Sequence, residues 1–165
     1  MTGKSLVAII GALNAARVRY LVVGGLAVVA HGYLRYTADV DLVLDPDPES
    51  LKRAIAALAG LGYRPRAPVP FETFADPVNR ASWRRDKGML VFSIHSPDHA
   101  ATEIDLFLDS PFDFDQAYSE AFSGEVAPGA VATFVSRPRL IAMKRAVGRP
   151  QDLSDVQKLE DGEAG

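Results

Sequence analysis

Val23-Gly24-Gly25, followed after thirteen residues by Asp39-Val40-Asp41-Leu42, is the stretch of sequence that decides the fold. The short β-branched run Tyr20–Val23 ends at the two glycines and predicts a buried strand. From Asp39 to Leu44, acidic and apolar residues alternate before a proline-rich stop, which predicts a second strand with one polar face. Residues two apart on a strand point to the same side, so the two aspartates are expected to project together.

Paired carboxylates of this kind suggest a metal site that also binds phosphate. Two like charges held close together repel, and burying either one without compensation is costly. Carboxylate oxygens are hard ligands that suit Mg²⁺, an ion that commonly also binds substrate phosphates. The helix predicted after Gly24-Gly25 would offer free backbone N–H groups to phosphate oxygens. The simpler alternatives are a solvated strand edge for the aspartates and a tight turn for the glycines.

A third acidic residue follows on another predicted strand, Thr102 to Leu108. Its apolar residues Ile104, Leu106 and Leu108 face inward, so Glu103 and Asp105 share the opposite face. If this strand lies beside Asp39–Leu44, Asp105 joins the same site. Three carboxylates would fit a two-metal centre for phosphoryl transfer, in which Asp105 binds a metal and takes a proton from an attacking hydroxyl. Glu103 is the weaker candidate.

The composition limits the classes of function. The chain has 165 residues, which is the length of one domain, and its net charge of −3 cannot by itself hold a polyanion. It has no cysteine, so disulfides, thiolate zinc sites and cysteine nucleophiles are excluded. No segment reaches the ~18 apolar residues of a membrane span, and we expect a cytoplasmic protein with no membrane partner.

The remaining pattern alternates helices and strands and predicts a mixed β-sheet flanked by helices in a single α/β (α+β) domain over residues 1–165. The segment from Tyr63 to Lys87 has no clear pattern and is expected to be a loop with at most one short helix. The other predicted elements are helices over 4–17, 26–31, 114–122 and 138–147, a helix that Asp47-Pro48-Glu49 opens and that ends at Gly60 or Gly62, a last helix capped by Asp152 and reaching Glu160, and strands over 89–94 and 131–135.

Together, these motifs resemble the nucleotidyltransferase fold of the DNA polymerase β superfamily. The late blocks Leu140-Ile141-Ala142-Met143-Lys144 and Gly148-Arg149-Pro150-Gln151-Asp152-Leu153-Ser154-Asp155 resemble the final motifs of AbiEii-type nucleotidyltransferase toxins and their small uncharacterised relatives. The resemblance covers about residues 18 to 160.

The resemblance implies a role for each matching residue. Gly24 and Gly25 would hold the triphosphate tail, with Arg35 and Thr37 as further nucleotide-binding residues, and Lys144 would meet the phosphates. The metal ligands would be Asp39, Asp41 and Asp105. Asp152 would lie near the catalytic face and Asp155 would support Arg149. The implied cofactor is Mg²⁺, with Mn²⁺ as an alternative, and the substrate is a nucleoside triphosphate such as ATP.

The implied function is transfer of a nucleoside monophosphate to an acceptor hydroxyl on RNA, protein or a small molecule. A toxin–antitoxin or phage-defence role would add a cognate antitoxin or toxin as partner. The alternatives are a catalytically inactive nucleotide-binding or antitoxin-like protein of the same fold, and a glycosyltransferase, since Asp-x-Asp also serves there. A basic segment around Trp83 offers an RNA-binding patch, or else a solvated charged face around one buried tryptophan; it contains Arg80, Arg84, Arg85 and Lys87.

Overall fold

A seven-stranded mixed β-sheet forms the centre of the computed structural model, which describes residues 1–163. The strands are β1 (Tyr20–Val23), β2 (Asp39–Leu44), β3 (Arg64–Pro65), β4 (Val91–His95), β5 (Glu103–Phe107), β6 (Phe122–Ala127) and β7 (Ala130–Phe134). They lie in the order β3-β4-β5-β2-β1-β7-β6. The end of the predicted 1–165 domain, Ala164 and Gly165, lies outside the described residues.

The pairing of the central strands determines where the sheet carries its polar residues. β1 pairs antiparallel with β2 and parallel with β7, and β2 pairs parallel with β5. The ends of β1 and β7 and the beginnings of β2 and β5 therefore meet at one edge of the sheet. The prediction that the Asp39–Leu44 strand neighbours the strand of Asp105 is confirmed, and so is the mixed α/β fold class.

Helices pack against this sheet. Among residues 1–163 the helices are α1 (Gly3–Ala15), α2 (Gly24–Ala30), α3 (Pro48–Ala59), α4 (Pro77–Lys87), α5 (Phe114–Ser119), α6 (Arg137–Val147) and α7 (Pro150–Glu163). Two groups of helices contact each other: α1 with α3, and α2 with α6, which also contacts α7. The start of α3 shows how local sequence sets the boundaries. The Asp47 carboxylate accepts a hydrogen bond from the Ser50 N–H at 3.0 Å, and Pro48 occupies the first turn.

Three predicted elements need correction. The segment Tyr63 to Lys87 holds a full eleven-residue helix, α4, capped by Asp76, besides a short strand and a 3-10 turn at Phe71–Ala75. The helix predicted through Phe122 ends at Ser119, because Phe122 begins the edge strand β6. Asp152 does not cap α7 but lies in its first turn, where its carboxylate accepts a hydrogen bond from the Arg149 N–H at 3.2 Å.

No helix within residues 1–163 is both long enough and apolar enough to cross a lipid bilayer.

Candidate active site

The predicted site residues meet at the edge where β1 ends and where β2 and β5 begin. In the β2–β5 register, Asp41 lies opposite Asp105 and Asp39 lies opposite Glu103. In the β1–β2 register, Val23 lies opposite Asp41, which brings the following Gly24 beside the carboxylates. The alternation of buried and half-exposed residues along β2 and β5 places all four acidic side chains away from the core.

The two glycines are required by close approaches on both sides of the turn. Gly24 has a φ of +69°, and a Cβ built there would overlap the Asp41 carboxylate. A Cβ built on Gly25 would lie 2.7 Å from Thr37 Oγ1 and 3.2 Å from Arg35 Nη1. The diglycine therefore allows Asp41, Thr37 and Arg35 to pack against the start of α2. Arg35 and Thr37, predicted from sequence, lie at the site.

Asp39 and Asp41 carry negative charge that the surrounding protein leaves largely uncompensated. The pKa of Asp41 is raised to about 7, first by burial and then by the neighbouring Asp105 and Asp39, against the opposing charges of Lys144 and Arg35. Burial, followed by Asp105 and Glu103, also raises the pKa of Asp39. Within residues 1–163, neither carboxylate accepts a side-chain hydrogen bond or forms an ion pair. The pair is therefore suited to a positive ligand.

Both acidic side chains of β5, Asp105 and Glu103, are engaged by neighbouring residues. Ser93 Oγ donates a hydrogen bond to Asp105 at 2.6 Å, and Arg66 pairs with Glu103. Ser93 was not predicted, although its polar position between the buried Phe92 and Ile94 placed it on the same face as Asp105. Over residues 1–163, no three His, Cys, Asp or Glu side chains converge closely enough to form a complete metal cage.

A buried ionic network lies behind the carboxylates and connects α6, α7 and the segment before β2. Lys144 Nζ lies 3.0 Å from Asp155 Oδ2 and 3.4 Å from Asp152 Oδ1. Arg35 Nη1 also reaches Asp155 Oδ2, at 2.8 Å. Asp155 is fully buried and Lys144 is 7% exposed, so these pairs are shielded from solvent.

The structure corrects one role that the resemblance implied for the last helix. Asp155 was expected to support Arg149, but it pairs with Arg35 and Lys144 instead. Asp152 is the residue that holds Arg149, whose Nε lies 2.7 Å from Asp152 Oδ2. The Arg35–Asp155 pair joins residues 120 positions apart in the chain, so no local pattern could have indicated it.

The basic segment of α4 surrounds a packed tryptophan. Trp83 is half-buried and stacks on Phe92, with ring centroids 5.2 Å apart. Arg84 pairs with Asp109, and Arg80 donates a hydrogen bond to the Phe74 carbonyl at 2.5 Å. These contacts agree with a charged face around a packed tryptophan, and the RNA-binding patch stays a prediction.

Comparison with known proteins supports the fold. No protein-family profile matches the chain, and no curated protein matches it. The lincosamide antibiotic adenylyltransferase LnuA, solved with lincomycin bound, is similar with a TM-score of 0.62 at 13% identity over 97% of both chains. The antibiotic-resistance factor ANT(2'')-Ia in solution gives 0.59 at 16% identity, over 99% of this chain and 86% of the other. ANT(2'')-Ia in complex with adenylyl-2''-tobramycin gives 0.58 at 17% identity, over 99% and 89%.

Likeness at such low identity concerns the fold alone, and it leaves the AbiEii-type relationship a prediction. The chain has the fold of these nucleotidyltransferases.

Proposed function

We propose that the chain is a Mg²⁺-dependent nucleotidyltransferase, which transfers a nucleoside monophosphate from a nucleoside triphosphate to an acceptor hydroxyl. The observation that carries this proposal is the strand register that places Asp41 between Asp105 and the diglycine turn. The shared fold of the antibiotic adenylyltransferases favours this activity over the glycosyltransferase alternative.

The donor set suits a hard divalent cation. Asp39 and Asp41 present carboxylate oxygens that accept no side-chain hydrogen bond and form no ion pair within residues 1–163, and their raised pKa values reflect burial followed by neighbouring negative charge. Mg²⁺ is usually held by one or two protein carboxylates together with substrate phosphates, so a complete three-carboxylate cage is not needed. Asp39 and Asp41 would hold the ion together with the substrate phosphates, and Asp105, the proposed third ligand, would complete the set only once ion and nucleotide are bound. When bound, Mg²⁺ would neutralise charge on the phosphates during transfer.

The residues of the chain divide the remaining work of the reaction. The Gly24-Gly25 backbone at the start of α2 would bind the triphosphate tail, and Arg35 and Thr37 would fix its position. Asp105 would accept the proton of the acceptor hydroxyl. The acceptor oxygen then forms a bond to the α-phosphorus, the bond from the α-phosphorus to the bridging oxygen breaks, and pyrophosphate leaves. Lys144 would stabilise the negative charge of the phosphates.

A small molecule is the acceptor class that we favour over RNA or protein. LnuA was solved with lincomycin and ANT(2'')-Ia with adenylyl-2''-tobramycin, and both proteins are similar to nearly the whole chain. The stacking of Trp83 on Phe92 occupies the one tryptophan that an RNA-binding patch would use to stack bases, which also favours a small molecule.

A nucleotide-binding protein without catalytic activity is the second candidate. The observation that favours it is the engagement of Lys144 by two buried aspartates, Asp152 and Asp155, which competes with binding of phosphate by its ammonium group.

The test incubates the purified protein with Mg²⁺ and each α-labelled triphosphate, and with a panel of hydroxyl-bearing antibiotics, total RNA and cell protein. We expect label to appear on a small molecule, and pyrophosphate to be released in equal amount. Label on RNA or protein would instead indicate the toxin-type acceptor.

Asp105→Asn is the diagnostic variant, and Asp98→Asn, an exposed aspartate outside the site, is its matched control. We expect Asp105→Asn to lower kcat at least about 100-fold, because the general base is lost, while nucleotide still binds. Equal transfer by wild type and Asp105→Asn would remove Asp105 from the mechanism. Nucleotide binding without any transfer by the wild type would favour the inactive candidate.

A further inference from the structure

The segment Tyr33–Thr37, which leads into β2 and the carboxylates, alternates between inward and outward side chains. Tyr33, Arg35 and Thr37 are half-buried. Leu34 and Tyr36 are 94% and 84% exposed, the highest values among the large apolar side chains that the structure describes. An aliphatic and an aromatic side chain thus stand in solvent at the rim of the site.

The inward side chains fix the backbone of this segment, so the exposure of Leu34 and Tyr36 is built into the fold. Tyr33 packs against Gly162 of α7 so closely that a Cβ built on Gly162 would overlap the Tyr33 hydroxyl and ring. Arg35 pairs with the buried Asp155 at 2.8 Å, and Thr37 lies against Gly25. These contacts hold Tyr36 between two residues that touch the diglycine turn.

We propose that Tyr36, with Leu34 beside it, is the surface on which the base of the bound nucleoside triphosphate stacks. This inference rests on the proposed function, in which the triphosphate tail lies at Gly24-Gly25. Arg35 and Thr37 lie close to Gly25, so the backbone of Tyr36 borders the position of the tail, and its ring stands in solvent on the outer side of this segment. An exposed aromatic ring stacks well on a planar base, and an aliphatic neighbour extends the apolar contact.

The size of the surface favours a base over a macromolecular partner. A stable protein interface buries about 800 Å² on each partner. The two side chains Leu34 and Tyr36 offer far less apolar area than that. One tyrosine ring and one leucine side chain instead match the dimensions of a single heterocycle.

Stacking also predicts which bases bind best. Purines present a larger face than pyrimidines and stack more strongly, whereas no hydrogen-bond donor or acceptor is required of the platform. We therefore expect the wild type to bind purine triphosphates more tightly than pyrimidine triphosphates, and this preference to depend on the ring of Tyr36.

The experiment measures Mg²⁺-dependent binding by calorimetry. The ligands are non-hydrolysable analogues of adenosine and cytidine triphosphate, together with inorganic tripolyphosphate, which has no base. The variants are Tyr36→Ala, Tyr36→Phe and the matched control Leu90→Ala, at a 71% exposed position outside the proposed site. Both positions face solvent, so all three variants should fold, which circular dichroism checks.

We expect Tyr36→Ala to weaken binding of the adenosine analogue about five-fold or more, and to reduce the preference for adenosine over cytidine. Binding of tripolyphosphate should not change, and Tyr36→Phe should keep most of the affinity. Unchanged binding of both nucleotides by Tyr36→Ala would overturn the inference while leaving the proposed function intact.

An equal loss for tripolyphosphate and nucleotide would also overturn it, since the base would then not be involved. The same holds if Tyr36→Ala changes only the KM of the acceptor, or only the self-association of the chain in size-exclusion chromatography. Failure of the wild type to bind any nucleotide would instead refute the proposed function, and the inference with it.

Discussion

The buried carboxylate of Asp41 should destabilise the metal-free protein, and replacing it by the neutral amide in Asp41→Asn should relieve this cost. A pKa raised from 3.8 to about 7 means that keeping Asp41 ionised in the folded state costs about 4 kcal/mol at pH 8. That figure is an upper value, because Asp41 is only partly buried and an amide must also be desolvated. We expect a gain of about 2 kcal/mol, or a rise in Tm of about 4–8 °C for a domain of this size.

The gain should depend on pH in a defined direction. Between pH 3.8 and about 7, the folded protein binds more protons at Asp41 than the unfolded chain does, so the stability that this group contributes falls as pH rises through that window. Asp41→Asn lacks this titration. The difference in stability between variant and wild type should therefore be larger at pH 8 than at pH 5.

The assay is urea unfolding at both pH values with a metal chelator present. It follows the fluorescence of Trp83, the single tryptophan, which is half-buried against Phe92. Asp98→Asn, at an exposed position, is the matched control and should change stability by no more than about 0.5 kcal/mol. A variant Asp41→Asn that is equally or less stable than wild type at pH 8 would refute the argument from burial and like-charge repulsion.

Three further substitutions test the packing around the site. Lys144→Met should lower the free energy of unfolding by about 3 kcal/mol, because it leaves the buried Asp152 and Asp155 with less positive charge nearby. The control Lys52→Met, at an exposed ion pair, should lower it by less than about 1 kcal/mol, and equal losses in chemical denaturation would contradict the burial of the network. Gly24→Ala should destabilise the protein more than Gly88→Ala in the same assay, because both glycines have a positive φ but only Gly24 lies against a carboxylate. Similar losses for the two variants would show that backbone strain alone matters. Burial lowers the pKa of His31 below 6.5, so the unfolded chain binds more protons than the folded protein as pH falls, and the stability of the fold should decline. His31→Gln should flatten this decline between pH 7.5 and 5.5, and an unchanged slope would assign the decline to other groups.

The elements with strong local signals were predictable from sequence. Tyr20–Val23 is a short apolar run bounded by glycine, and Asp39–Leu44 alternates acidic and apolar residues; both form strands with the predicted bounds. The sequence allowed one short helix in this region but did not place the eleven-residue α4, because none of its residues is fully buried and its sequence therefore lacks the apolar periodicity of a core helix. Its start signal, Asp76 followed by Pro77, has the same form as the one that correctly predicted α3.

The site was predictable where it depends on strand alternation and not where it depends on contacts distant in sequence. Alternation placed Asp39 and Asp41 together and put Asp105 on the polar face of its strand, and the register of β2 and β5 brought them side by side. The pairing of Arg35 with Asp155 depends on how α7 packs against the segment before β2, which no local pattern encodes.

The most direct test of the central claim is to locate the metal. Crystals grown with Mn²⁺ and a non-hydrolysable nucleoside triphosphate can be examined by anomalous scattering, which identifies the ion unambiguously. We predict a peak within about 2.3 Å of carboxylate oxygens of both Asp39 and Asp41, with the triphosphate at Gly24-Gly25. A bound nucleotide whose Mn²⁺ lies away from both aspartates would contradict the account.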